Sequence, residues 1–329
     1  MRKLNRLRRF DPRRSDIVDG SSRPAFRSSG WPTVLSLAPT SRCALSCPCC
    51  YLHPPFRPAR AERDIGFFCG LLEQAASLGL EHVAVSINRF LKPSDPNGWY
   101  LRELSRVAVG LGLDFSTTTN YENIEQFGVA PYRNCRMVSL SYDEFKFADP
   151  SRLPSLLGAI DELKESGAAV NVNLMLSFRT IRELRDGLLG LTLQHADSAY
   201  LFMPKNYEAD FTRAEFLEFL HWLLHVMQDY SVFRRVFLDN CVKPFFPPFS
   251  TLYPFCERGH HIVAVGPGGE VSYTVYDQPY AVIREARDFA RVFREMFGDR
   301  RPDCGQASYN PLLCRKAGSC PFIRFREPR

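Results

Sequence analysis

The strongest constraint on the fold is an alternation of short apolar runs with helical segments between Trp31 and Met203. The helical segments repeat apolar residues three and four positions apart, as Phe68, Leu71 and Leu72 do. Strands that alternate with helices predict a parallel sheet with helical crossovers. The predicted strands are 33–38, 82–87, 113–119, 136–141, 168–176 and 199–203.

The number of these units predicts an open sheet. Six strand–helix units are too few to close an eight-stranded barrel. We therefore expect an α/β fold, a partial (β/α)6 barrel, followed by a small cysteine-containing α+β domain. In parallel barrels the reactive groups lie at the carboxyl ends of the strands, so the residues after each strand are the first candidates for a site.

Four cysteines stand in a short segment directly after the first predicted strand. Cys43, Cys47 and Cys50 have the order C-x3-C-x2-C, which lets three thiolates converge on one inorganic centre. Iron–sulfur clusters are held by Cys thiolates, normally four, so three ligands leave one iron open. Half of a zinc site and a disulfide cluster are the alternatives. Cys49 could also replace Cys50 as a ligand.

The cysteine order and its place after the first strand closely resemble radical S-adenosylmethionine (SAM) enzymes. The resemblance implies a catalytic [4Fe–4S] cluster on Cys43, Cys47 and Cys50, with SAM on the open iron. One electron would then split SAM and give a 5′-deoxyadenosyl radical. The protein would position the substrate and the cofactor, because the cofactor itself carries out the difficult chemistry.

The same resemblance implies that SAM-binding residues follow the later strands. Where the family often has Gly-Gly-Glu-Pro, this chain has Ser-Ile-Asn-Arg-Phe at 86–90. Ser, Thr and Asn side chains could bond the ribose and amino-acid groups of SAM, but they also cap helices. The candidate residues are Ser86, Asn88, Thr119, Asn120, Ser139, Ser141, Asp143 and Asn173.

The C-terminal part holds five more cysteines around a predicted hairpin at 262–275 with a Gly-rich turn. The pattern resembles the SPASM or twitch extensions of peptide-modifying radical SAM enzymes, and this implies one auxiliary cluster. Its expected ligands are Cys256, Cys314 and Cys320, with Cys241 or Cys304 as the fourth. The alternative is that these cysteines are reduced and buried without metal.

Two other groups of residues favour structural roles. Cys69 and Cys135 lie among apolar residues and are predicted to belong to the core. His221 and His225 have a metal-binding spacing on a predicted helix, but the Glu of H-E-x-x-H is missing. We therefore interpret the two histidines as structural.

The net positive charge of the chain lies in its first 30 residues. Residues 1–30 carry nine Lys/Arg and three Asp/Glu, which accounts for the whole net charge of +6. We expect a basic, flexible tail at 1–30, a radical SAM core at 31–236 and the twitch/SPASM-like domain at 237–329. A solvated tail and an arm for an acidic partner are both open. A basic–aromatic stripe for nucleic acid is missing elsewhere.

The start of the chain has no apolar segment typical of a secretory signal, and no long apolar run suggests a membrane span. A cytoplasmic protein is expected. By resemblance, the expected substrate is a ribosomally made peptide that is crosslinked or oxidised, with an external electron donor. The alternatives are a small-molecule or nucleotide substrate, and a non-catalytic zinc or cluster module for an acidic partner.

Overall fold

The computed structural model describes residues 32–41, 47–48, 50, 61–86, 98–204, 207–239, 242, 262–273, 278–298 and 324–327. The predicted N-terminal tail, Cys43, Cys49 and Asn88 lie outside these residues. So do the five C-terminal cysteines.

The described strands form one ten-stranded sheet with the order β10-β9-β8-β1-β2-β3-β4-β5-β6-β7. Eight neighbouring strands, from β8 to β7 in this order, are parallel, and the β8–β9 and β9–β10 pairs are antiparallel. The strands are β1 Val34–Leu37, β2 His82–Ser86, β3 Asp114–Thr119, β4 Met137–Tyr142, β5 Ala169–Met175, β6 Ser198–Phe202, β7 Val236–Leu238, β8 Ile262–Val265, β9 Glu270–Ser272 and β10 Ala281–Val282.

Helices connect the parallel strands as the alternation predicts. They are α1 Ile65–Ser77, α2 Trp99–Gly110, α3 Tyr121–Phe127, α4 Leu153–Glu165, α5 Phe178–Glu183, α6 Leu189–His195, α7 Arg213–Val226, α8 Tyr230–Phe233 and α9 Phe289–Phe297. One helix was predicted from 180 to 195. The structure instead has α5 and α6 joined by a π-helical turn, Leu184–Leu188, in which Gly187 has a φ of 115°.

One face of every central strand packs against the helices and forms the core. Leu35, Val83 and Phe115 lie side by side on β1, β2 and β3, and Val138 pairs with Val170 on β4 and β5. Each fully buried side chain of this kind stabilises the fold by about 1.5–3 kcal/mol. The other side chains of each strand alternate onto the opposite face.

The sheet extends beyond the six predicted strands. β7 adds a short parallel strand next to β6, and the expected domain boundary between 236 and 237 falls inside it. The predicted hairpin is confirmed as β8 and β9, but β8 pairs in parallel with β1. Hairpin and core therefore share one sheet, and the division into domains stays a prediction.

The prediction of an α/β fold with an open parallel sheet is confirmed. Among the described residues, no strand pairing joins the two ends of the sheet. No helix in the described part of the chain is long and apolar enough to cross a membrane.

Candidate functional site

The face of the sheet that turns away from the core carries a line of polar residues, which we call the polar row. Its members occupy successive register positions on five neighbouring strands. Because the strands are parallel, the row runs across the sheet close to the carboxyl ends of β2 and β3. The polar row consists of Ser86, Thr118, Ser139, Asn171 and Ser198.

Hydrogen bonds link the second half of this row. The Ser198 hydroxyl donates to Asn171 Oδ1 at 2.9 Å, and Asn171 Nδ2 donates to Ser139 Oγ at 3.3 Å. All three residues are at most 1% exposed. Buried polar groups are tolerated when they bond one another, so this part of the row is already satisfied within the protein.

Ser141 and Asn173, which lie nearer the carboxyl edge, carry polar groups that no described residue bonds. Ser141 pairs with Asn173 in the sheet, and Asn173 Oδ1 accepts a hydrogen bond from Asn171 Nδ2 at 2.7 Å. Ser141 is only 3% exposed. Neither the Ser141 hydroxyl nor Asn173 Nδ2 has a hydrogen-bond partner among the described residues. Ser141 is buried and Asn173 is half-buried, and polar groups without a protein partner can bond a ligand, so these two groups can serve a bound ligand.

The cysteine loop begins at the same edge, directly after β1. Cys47 is buried and Cys50 is half-buried, and Cys50 N donates to the Cys47 carbonyl at 3.1 Å. This hydrogen bond closes a tight turn that carries two of the three predicted cluster ligands. The third, Cys43, lies outside the described residues, so its place in the ligand set stays a prediction.

A carboxylate closes the base of the cysteine loop. Glu62 Oε1 accepts hydrogen bonds from Thr40 Oγ1 at 2.8 Å, from Ser41 N at 2.9 Å and from Ser41 Oγ at 3.2 Å. We call these three bonds the Glu62 clamp. The clamp joins the chain just before the loop to the chain just after it. The sequence gives no indication of this role for Glu62, because the residue follows a stretch without a recognisable motif.

Arg63 joins the base of the cysteine loop to the turn between β8 and β9. Arg63 N donates to the Pro267 carbonyl at 2.8 Å, and Arg63 Nε donates to the Gly268 carbonyl at 3.2 Å. Gly269 in this turn has a φ of 89°, and a Cβ there would lie 2.3 Å from the Ile283 carbonyl oxygen. The turn therefore needs glycine, and the hairpin is fixed against the start of α1.

Three of the predicted SAM-binding residues are engaged in local structure. Thr119 lies on the core side of β3, where its hydroxyl bonds Tyr132 at 3.1 Å. The Asn120 side chain caps α3 by accepting from Asn123 N at 3.0 Å. Asp143 is 1% exposed and accepts from Phe145 N, Lys146 N and Lys146 Nζ within 3.0 Å.

Ser86, Ser139, Ser141 and Asn173 lie on the same face of the sheet, and their role in SAM binding stays a prediction. Thr118, Asn171 and Ser198 were missed. Strict alternation along β3, β5 and β6 would have placed them on the same face as the predicted residues. Their contacts depend on strand register, which the sequence does not state.

Two ionisable groups near the end of β4 have raised pKa values. Burial, and after it the negative charge of Asp210, raise the pKa of Glu144. Burial first, and then the hydrogen bond to Glu183, raise the pKa of Tyr142 to about 12. Tyr142 OH donates to Glu183 Oε2 at 2.9 Å. Tyr142 is therefore a neutral donor that fixes Glu183 on α5.

Of the two cysteines predicted to be core residues, Cys135 lies in the core, whereas Cys69 lies at its edge. Cys135 is fully buried, and burial raises the pKa of its thiol. Cys69 is half-buried on α1; burial, and after it the nearby Glu103, raise its pKa. Both are protonated thiols at neutral pH.

The C-terminal segment 324–327 is bound next to the chain that follows β6. Ala209 N donates to the Arg324 carbonyl at 2.9 Å, and Arg326 N donates to the Phe211 carbonyl at 3.1 Å. The Phe325 ring lies 6.2 Å from Phe211 and 5.5 Å from Phe216, centroid to centroid. Residues 324–327 therefore pack against the connection between β6 and α7 and against α7 itself.

No protein-family model matches the sequence, and no curated protein matches it. Solved structures do. Streptococcus suis SuiB bound to precursor peptide SuiA is 15% identical, with a TM-score of 0.63 over 83% of this chain and 67% of that chain. SuiB bound to S-adenosylmethionine has a TM-score of 0.61 at 15% identity, over 86% of this chain and 72% of that one.

Solved structures of a second protein, anSMEcpe, also resemble this chain. Native anSMEcpe with bound AdoMet is 13% identical, with a TM-score of 0.56 over 88% of this chain and 89% of that one. SuiB and anSMEcpe are radical SAM enzymes. At this identity the likeness establishes the fold, and the chain therefore has the fold of radical SAM enzymes.

Proposed function

We propose that this protein is a radical SAM enzyme that uses Cys43, Cys47 and Cys50 to hold a [4Fe–4S] cluster. The observation that supports the proposal is that two features lie at the carboxyl edge of the same sheet. The Cys47–Cys50 turn follows β1, and the polar face presents the Ser141 hydroxyl and Asn173 Nδ2 without protein partners in the described residues. Thiolates suit iron, and these two groups suit the ribose and amino-acid atoms of SAM.

The described residues fit the cluster and SAM. The backbone turn from Cys47 to Cys50 carries two residues of the cysteine spacing, and the Glu62 clamp holds the base of their loop. When bound, the cluster and SAM would supply reductive cleavage of the sulfonium to a 5′-deoxyadenosyl radical. Ser86, Ser141 and Asn173 would orient SAM, and Ser139 would support Asn173 through Asn171.

A peptide is the proposed substrate, and crosslinking or oxidation is the proposed reaction class. SuiB was solved with its precursor peptide, and anSMEcpe was solved with the Cp18Cys peptide at a TM-score of 0.55 and 14% identity. An external electron donor, one auxiliary cluster on the C-terminal cysteines and a reducing compartment such as the cytoplasm complete this proposal.

SAM cleavage and substrate class can be tested in one anaerobic assay. The reconstituted, reduced protein is incubated with SAM, and 5′-deoxyadenosine is measured alone, with a peptide library, and with a low-molecular-weight metabolite extract. We expect 5′-deoxyadenosine in all three, with a stimulation and a new peptide mass only with the library. Stimulation by the metabolite extract alone would contradict the peptide proposal. A protein that never forms 5′-deoxyadenosine would contradict the radical reaction itself.

A further inference from the structure

We infer that Asn171 is a positioning residue that holds the Asn173 amide in place for hydrogen bonding to SAM. The inference rests on the proposed function, because it assigns a role within the SAM site. Asn171 itself is 1% exposed, whereas Asn173 is partly exposed nearer the carboxyl edge.

The orientation of the Asn173 amide follows from its one protein bond. Asn171 Nδ2 donates to Asn173 Oδ1 at 2.7 Å, so the oxygen of Asn173 is directed toward Asn171. The two ends of a side-chain amide point apart, and Asn173 Nδ2 therefore points away from Asn171. Among the described residues it has no acceptor. Turning the Asn173 amide alone would set two NH2 groups against each other, so it can turn only together with the Asn171 amide.

Asn171 can hold its neighbour because its own amide is held on both sides. Ser198 Oγ on β6 donates to Asn171 Oδ1 at 2.9 Å, and Ser139 Oγ on β4 lies 3.3 Å from Asn171 Nδ2. These three residues are paired in register across β4, β5 and β6. Serine hydroxyls can donate or accept, so these contacts fix the position of the Asn171 amide, and Asn171 in turn fixes the position of the Asn173 amide.

The acceptors of SAM are its carboxylate, its ribose oxygens and its ring nitrogens. Asn173 Nδ2, when it is held in place, can donate to any of them. A side chain that loses its fixed orientation binds more weakly, because part of the binding free energy is spent on ordering it. Removing Asn171 should therefore weaken SAM binding although Asn173 remains.

A double-mutant cycle on the anaerobically reconstituted protein tests this inference, with SAM affinity measured by calorimetry. We expect about a tenfold loss for Asn173→Ala, which removes one hydrogen bond, and about a three- to tenfold loss for Asn171→Ala. The double variant should bind no more weakly than Asn173→Ala, because Asn171 acts through Asn173. Asn171→Asp, of nearly unchanged size, provides a second variant if Asn171→Ala does not fold. Its carboxylate cannot donate to Asn173 Oδ1, so SAM affinity should again fall below that of the wild type.

Ser116→Ala is the matched control for lost buried hydrogen bonding. Ser116 is as buried as Ser198, its hydroxyl bonds His82 Nε2 at 2.7 Å, and it lies on the same face of the sheet outside the polar row. This variant should lose thermal stability but keep the wild-type SAM affinity. The inference would be overturned if Asn171→Ala bound SAM as tightly as the wild type. It would also be overturned if Asn171→Ala weakened SAM binding by the same factor in the wild type and in the Asn173→Ala protein. A wild-type protein that does not bind SAM would instead overturn the proposed function.

Discussion

The Glu62 clamp leads to a quantitative prediction about the cysteine loop. Glu62→Ala removes the one oxygen that accepts from Thr40 Oγ1, Ser41 N and Ser41 Oγ. Hydrogen bonds to a charged group contribute about 1.5–3 kcal/mol each. Because all three share one oxygen, their contributions do not add, and we take about 2–3 kcal/mol for the whole clamp. This free energy corresponds to an increase of about 30- to 150-fold in the population with an open loop base.

The rate of iron loss to a chelator measures that population. If the loop opens and recloses faster than the chelator captures iron, the release rate is proportional to the open population. The reconstituted Glu62→Ala protein should therefore lose iron about 30- to 150-fold faster than the wild type. Glu62→Gln keeps an acceptor oxygen without the charge, so its release rate should fall between those two proteins.

Glu103→Ala is the matched control for the loss of a carboxylate. Glu103 also accepts hydrogen bonds, but from Arg106 on the exposed face of α2, away from the loop. Its iron-release rate should equal that of the wild type. Equal release rates for Glu62→Ala and Glu103→Ala would refute the reasoning, since the clamp would then not hold the loop.

Three further predictions concern stability. Gly187→Ala should lower the free energy of unfolding by about 1–2 kcal/mol, because Gly187 has a positive φ. The matched variant Gly190→Ala, in an ordinary turn of α6 with open space around it, should raise this free energy by about 0.5–1 kcal/mol. Urea unfolding measures both changes. The Tyr142 pKa of about 12 predicts that its contribution is present below pH 10 and is lost as pH rises from about 10 to 12; the unfolding free energy of wild type should fall more steeply there than that of Tyr142→Phe, and parallel curves would contradict this. Phe325→Ala should destabilise the bound C-terminal segment by about 1–3 kcal/mol and speed its cleavage by a protease, and an unchanged rate would show that the ring contacts do not hold it.

Much of the sheet could be predicted because each central strand is a short apolar run between helical segments. The predicted strand 113–119 and the observed Asp114–Thr119 differ by one residue. The pairing of β8 with β1 could not be predicted in this way. The two strands lie more than 220 residues apart in the sequence, and local patterns carry no information about such a contact.

The candidate site was predicted in part for a similar reason. Ser141 and Asn173 were found because each lies near the carboxyl end of a strand. Thr119 was included for the same reason, but it lies on the core side of β3. In strands that are buried on both faces, apolar alternation is weak, so the face of a polar residue is hard to assign. Asn171 was missed because its partners stand on other strands.

The central claim is that the loop after β1 holds the catalytic cluster, and iron and sulfide content tests it most directly. The wild type and a Cys43/Cys47/Cys50→Ala variant are reconstituted anaerobically and compared. We expect about four irons fewer in the variant, falling from about eight to about four if the C-terminal cysteines hold a second four-iron cluster. Equal iron content in the two proteins, or zinc in place of iron in the wild type, would contradict the account.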